Sequence, residues 1–269
     1  SGARILLGAL VILLVRHAIR RDQPVFLRAW RRLGRWWRDD SVRAVLPVWA
    51  ASRLAVLLVG FLAVGTFGYR DGGAPFTLYK NELLDLPARF DAGWYLGISV
   101  DGYVWDPAIA GQQNIAFMPA LPMLMRFGGR LIGGHPLWAG QFAVLAACLW
   151  AFVYVHRLAR SALGDADRAA WAVALLAAYP FAVFYSAVYT EAIFLLCAAG
   201  AFYHVGRGEY VRTAAFALVC GFARPNGFLL AVPLALVAVW PAAVAAWGDQ
   251  RSGIGARFRR ALRASLPAT

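Results

Sequence analysis

Four apolar runs, parted by clusters of arginine, limit what this chain can fold into more than any single motif does. A helix needs roughly 20 apolar residues to cross a bilayer, because the hydrocarbon core is about 30 Å thick and each residue adds about 1.5 Å. Ala44 to Thr66 meets that length with Arg53 as its one charged interruption, and Leu137 to Val155 meets it as well. Ala169 to Val205 is too long for one crossing. Pro180 and the polar patch from Tyr185 to Glu191 divide it into an outward and an inward helix, with aromatics belted around the break. Thr213 to Val239 carries Arg224-Pro225-Asn226-Gly227 in its interior, a second break. Hydrophobic residues make up 61% of the 269 positions and charged ones only 15%, beyond an ordinary soluble domain. The fold class expected is all-α, a polytopic transmembrane helical protein forming one membrane domain without internal repeats.

The charges supply the sidedness. A formal charge of +13, from 27 basic and 14 acidic residues, first suggests nucleic acid. The arginines alternate with the apolar runs, however, so the positive-inside rule explains them better and no nucleic-acid partner is expected. One cluster runs from Arg16 to Arg43, a second holds Arg157, Arg160 and Arg168, a third Arg207 and Arg212, and the last runs from Arg251 to Arg263. All four are expected on the cytoplasmic side. Phe26 to Arg38 spaces arginines and tryptophans at helical intervals, which suits either an amphipathic helix on an anionic leaflet or a plain basic juxtamembrane segment.

The expected layout is an N-terminal apolar segment with a basic region over 1–43, a span over 44–67 and an outer loop over 69–114. A re-entrant segment and the remaining spans follow over 115–247, then a basic tail over 248–269. Ile115 to Ile132 is the re-entrant or interfacial piece, because Pro119, Pro122, Gly128 and Gly129 break it. The chain opens without Met almost inside the apolar run from Ile5 to Val15, which reads as a piece of something longer.

Six of the 14 acids lie in the outer loop: Asp71, Glu82, Asp85, Asp91, Asp101 and Asp106. Within it, Arg89-Phe90-Asp91-Ala92-Gly93-Trp94-Tyr95 sets a carboxylate among aromatics. Asp91 either pairs with Arg89 on the surface, where such a pair is worth little, or serves as a general base beside ring platforms of the kind sugars use. Glu191 would cost about 2.5–3.5 kcal/mol inside a span, so it either faces a partner in a polar cavity or sits at the interface and caps the helix it opens. Arg224 either offers its fork of donors to an oxyanion, phosphate above all, or snorkels from a Pro-Asn-Gly turn. The residues alone leave each choice open. The three cysteines all lie in apolar runs and read as core, and the four histidines are scattered, so no metal site is expected.

Four stretches recur in a telling order: Arg89 to Tyr95 running on to Gly102-Tyr103, then Asn114-Ile115-Ala116-Phe117-Met118-Pro119-Ala120-Leu121-Pro122, then Tyr189-Thr190-Glu191-Ala192-Ile193-Phe194, then Arg224-Pro225-Asn226-Gly227. Together they resemble the PIG-V family, the GPI mannosyltransferase II type, within the GT-C class of membrane glycosyltransferases. The resemblance implies a helical fold with a long first outer loop. It implies an enzyme that moves mannose, or a similar hexose, with inversion from a polyprenyl-phosphate carrier to an acceptor hydroxyl. Asp91 would be the catalytic base, with Arg89, Trp94, Tyr95, Tyr103, Glu191, Arg224 and Asn226 binding substrate. The broken segment around Pro119 and Pro122 would help form a groove for the lipid tail. No cofactor is implied beyond the lipid-linked donor, and the partners would be the bilayer, that donor, and a glycan, glycolipid or protein acceptor. Family chains usually continue with further spans, so the resemblance implies a fragment. The location expected is a bacterial plasma membrane crossed several times with the site on the outer face, or else the endoplasmic reticulum membrane. The rival from another class is a multi-pass transporter or flippase, which would show two related halves and charges near the midplane.

Overall fold

A computed structural model describes residues 38–68 and 78–240, and within them the chain is built from helices, turns and loops, with no strand. The apolar run from Ile5, the basic stretch from Phe26 up to Arg38, Asp71 and the basic tail lie outside the described residues. In chain order the helices are α1 (Asp40–Phe67), the short α2 (Glu82–Asp85), α3 (Ala92–Asp101), α4 (Ala120–Leu131), α5 (Pro136–Leu163), α6 (Ala166–Ala178), α7 (Glu191–Val205) and α8 (Tyr210–Ala223). An apolar helical segment, Pro225–Trp240, closes the described part.

Capping explains why α1 starts ahead of its apolar run. The Asp39 carboxylate accepts from the N–H groups of Ser41 and Val42 at 2.9 and 3.4 Å, satisfying donors that a helix start leaves over. α5 opens on Pro136, whose missing N–H is not needed in a first turn, and runs past Val155 through Arg157 and Arg160. Both helices have 28 residues, about 42 Å, and these two are long and apolar enough to cross a membrane.

α5 is the central post. Val144, Cys148, Phe152 and Val153 on it are fully buried, and α7, α4, α6 and α1 pack against it. Gly140 lets α4 approach closely, since a Cβ there would meet the Met125 side chain at 2.8 Å. α4 buries Leu121, Pro122, Met125 and Gly129 along one stripe and exposes Met123, Leu124 and Phe127. At 12 residues, about 18 Å, it cannot cross a bilayer, which fits an interfacial element. The outward faces stay apolar: Val59 and Leu62 on α1, Trp171 and Leu175 on α6, and Leu236 on the closing segment are each more than half exposed. Such faces suit lipid rather than water.

α6, α7 and α8 have 13, 15 and 14 residues, so they reach only about 20–22 Å. Their breaks therefore fall well short of the far end of α1. At that depth the buried Arg53 of α1 donates from Nη1 to the Ala182 carbonyl at 2.6 Å and the Ser186 hydroxyl at 2.9 Å. Its charge is spent on the carbonyls that a broken helix leaves open, which fixes the Pro180–Tyr185 turn against α1. The opposite ends of the helices gather the arginines: Arg157 meets Asp39 at 2.5 Å, and Arg212 meets Glu209 at 2.8 Å.

Candidate active site

The loop acids separate by what the backbone does with them. Asp85 is 1% exposed, and its carboxylate accepts from the N–H groups of Leu78, Tyr79 and Asn81 at 2.9, 3.0 and 3.3 Å. Burial alone would raise that carboxyl, but the three donors and the nearby Arg89 hold it below the ordinary carboxylate range. Asp106 is likewise structural, its Oδ1 accepting from the Ala108 N–H at 2.9 Å, and Asp101 is exposed.

Asp91 is used differently. It occupies the N-cap position of α3, yet its side chain makes no capping hydrogen bond. Phe90 just before it holds φ at +56°, a left-handed conformation that costs a non-glycine residue on the order of 1–2 kcal/mol. That turn brings the Asp91 N–H to the Tyr189 hydroxyl oxygen at 2.9 Å and seats the Phe90 ring against Phe184 and Tyr189. The Tyr189 hydroxyl lies in the field of both Asp91 and Glu191.

Glu191 opens α7, and its Oε1 accepts from Nη1 of Arg224. Its Oε2 is buried and has no hydrogen-bond partner among the described residues. Glu191 thus stands in the first turn of α7, where a carboxylate complements the helix dipole, and faces Arg224 as well. Arg224 is placed by its neighbours. Pro225 forces the preceding residue into extended backbone, here φ −150° and ψ 148°, which ends α8. Gly227 then lets the next turn fold back onto the Cys220 carbonyl, where any Cβ would collide. Arginine-proline-asparagine-glycine is thus a device that points a guanidinium sideways out of a broken helix. Asn226 is exposed on that turn.

Aromatics join the remaining stretches. The Trp94 ring stacks on Phe117 with centroids 5.6 Å apart, Tyr95 meets Phe117 edge-on at 5.2 Å, and the Tyr103 hydroxyl donates to the Phe117 carbonyl at 2.8 Å. Asn114 ties the same segment down, accepting from Val104 N–H and donating to the Gly102 carbonyl. Trp94 and Tyr103 keep 39% and 45% of their surface exposed and offer faces to a ligand. Tyr95 is only 6% exposed, wedged between Phe117 and Tyr189, so it offers the site no ring face. What it offers is a hydroxyl that lies in the field of Glu191, Arg224 and Asp91. Residue types alone undervalued Tyr189, whose place between Asp91 and Glu191 is a tertiary fact.

A cavity of about 620 Å³ adjoins Asp91 through Arg89 and Phe90. Its walls are mainly apolar, from Leu54, Leu57 and Val64 of α1 to Val183 and Ala187, with Arg53 and Arg89 as its charged members. Pro119 and Pro122 do not line it. Among the described residues no three His, Cys, Asp or Glu side chains gather closely enough to hold a metal ion.

Among the described residues the chain is all helix, turn and loop with lipid-suited outer faces, an architecture consistent with a membrane-embedded glycosyltransferase. More narrowly, the chain belongs to the family described as mannosyltransferase (PIG-V), whose model matches residues 76–239, more than half of its length. All four motif stretches fall inside that match. The protein is a membrane-associated mannosyltransferase, which decides against the transporter reading. No curated protein and no solved structure matches the chain.

Proposed function

We propose that the enzyme transfers a mannosyl residue from a polyprenyl-phosphate carrier to an acceptor hydroxyl, with inversion, on the non-cytoplasmic side of the membrane. The observation that carries this reading is the convergence of Asp91, Tyr189, Glu191 and Arg224 on one polar site beside the apolar cavity. The acceptor oxygen attacks the anomeric carbon as the bond from that carbon to the phosphate oxygen breaks. Asp91 takes the hydroxyl proton, help typically worth about 10²–10⁴ in rate. Arg224 meets the departing phosphate, since Glu191 engages one of its five donors and leaves the others for oxyanion charge. Glu191 Oε2 accepts from a sugar hydroxyl, and Trp94 and Tyr103 stack on sugar rings. The apolar cavity holds the first isoprene units, with Arg89 near the phosphate.

The sidedness rests on the arginines. Arg157, Arg160, Arg207 and Arg212 share one end of the bundle, and Glu191 lies about 21 Å away at the other end of α7. With the arginines in the cytoplasm, the site opens outward in a plasma membrane crossed several times.

The test is donor choice. Purified protein is given polyprenyl-phosphate mannose or a nucleotide-activated mannose, and sugar release is followed. Release from the lipid carrier alone supports the reading; turnover of the nucleotide sugar in its place would sink it.

A further inference from the structure

A cavity of about 1010 Å³ lies at the end of the bundle opposite Asp91, where α1 begins, α5 ends and α7 turns into α8. None of its lining belongs to the site described above. Four guanidinium groups face three carboxylates there, and the pairing is uneven. Arg157 is locked, 2.5 Å from Asp39 and packed over the rings of Tyr154 and Tyr203 at 5.6 and 5.7 Å. Arg212 sits 2.8 Å from Glu209. Arg160 and Arg207 reach Asp40 and Glu209 only at 4.0 and 3.8 Å, and their side chains are 49% and 58% exposed.

Arg207 faces the Oε1 atom of Glu209 only at 3.8 Å, beyond hydrogen-bond distance, while the close bonds to that carboxylate fall on Oε2. The buried His204 bridges the Tyr154 hydroxyl at 3.0 Å and Glu209 Oε2 at 2.5 Å, and Arg212 donates to that same oxygen. The bonds from His204 and Arg212 hold the Glu209 carboxyl below its ordinary range, so it stays ionised and already engaged. Two loosely paired guanidiniums therefore overhang a room whose walls include the Phe202 and Tyr203 rings. Planar donor forks of this kind suit phosphate oxygens. The volume is that of a site for a small organic molecule rather than a lone ion.

We propose that this cavity binds the phosphate of an anionic phospholipid headgroup from the leaflet at the arginine-rich face, gripped by Arg160 and by Arg207, which rests over the Tyr203 ring at 5.3 Å. It is a lipid site separate from the catalytic pocket, built on helix ends that the transfer chemistry does not use. Basic pockets between helices on the cytoplasmic side are a recurrent way of holding such headgroups.

The full chain, purified in detergent, is titrated with short-chain phosphatidylglycerol or phosphatidylcholine and read by native mass spectrometry, with inorganic phosphate as competitor. One phosphatidylglycerol is expected to stay bound, and phosphatidylcholine far more weakly. Arg160→Ala combined with Arg207→Ala should weaken retention about thirtyfold, roughly fivefold for each arginine. Arg168→Ala removes an exposed charge of the same end outside the cavity and should change it less than twofold. Should the double variant melt lower than the parent, Arg207→Gln alone is read, with about a fivefold loss expected. Displacement by millimolar inorganic phosphate, lost in the same variants, keeps the site and makes its source a soluble phosphate. Retention unchanged in the double variant, or equally weakened by Arg168→Ala, overturns the site.

Discussion

Asp85 and Asp91 stand in neighbouring turns of one loop, and the fold treats them oppositely. The turn around Asp85 aims three backbone N–H groups at the carboxylate and buries it. The turn around Asp91 holds Phe90 in a strained backbone, leaves the helix cap unmade, and brings the Asp91 N–H to the Tyr189 hydroxyl. An acid whose acceptors are filled by the chain is part of the scaffold. An acid withheld from a cap it could make is available for chemistry. Gathering of acids in a sequence does not distinguish the two; the direction of nearby N–H groups does.

Substitutions can break that contrast. Asp91→Asn should lower the transfer rate by about 10²–10⁴ with the melting temperature unchanged, as a mannose-transfer assay and a thermal melt in detergent would reveal. Arg224→Lys keeps the charge but loses the fork, and transfer is expected to fall by about ten- to a hundredfold. Asp85→Ala should do the reverse of Asp91→Asn. It strands three N–H groups that face the buried carboxylate and removes about 3 kcal/mol of stability, while transfer per folded molecule is kept. Gly227→Ala should cost about 1–3 kcal/mol, because the new methyl meets the Cys220 carbonyl and pushes Arg224 off Glu191; stability and transfer would fall together. The smallest effect is a pH dependence. Because folding depresses the Asp85 carboxyl, its contribution is complete above the ordinary value of about 4 and is lost as pH falls through the lower folded value. The melting-temperature gap between the parent and Asp85→Asn should therefore narrow below about pH 4. A constant gap would mean that the carboxylate's charge is not what the turn uses.

Much of the fold was legible because prolines and apolar run lengths act locally. Pro180 and Pro225 marked both helix breaks, and the lengths of α1 and α5 followed from apolar runs plus an aspartate cap and a polar extension. Residue types singled out Asp91, Glu191 and Arg224 as candidates, but not which of the neighbouring Trp94 and Tyr95 keeps an open ring face. Trp94 and Tyr95 are adjacent on a helix, so their side chains leave about 100° apart and one is turned inward when the other faces the pocket. Which of them turns inward depends on Phe117, far along the loop. Arg53 was legible as an oddity in an apolar run, but its partners are carbonyls freed by a break over a hundred residues later, which no local pattern encodes.

Whether Asp91 and Arg224 act on one substrate is settled most directly by a double-mutant cycle on mannose transfer, using Asp91→Glu and Arg224→Lys so that residual rates stay measurable. Two groups sharing one pocket should couple, so the combined loss in kcat/KM should depart from the product of the single losses by about fivefold or more. Losses that multiply within error would place the two residues in separate roles and contradict a common site.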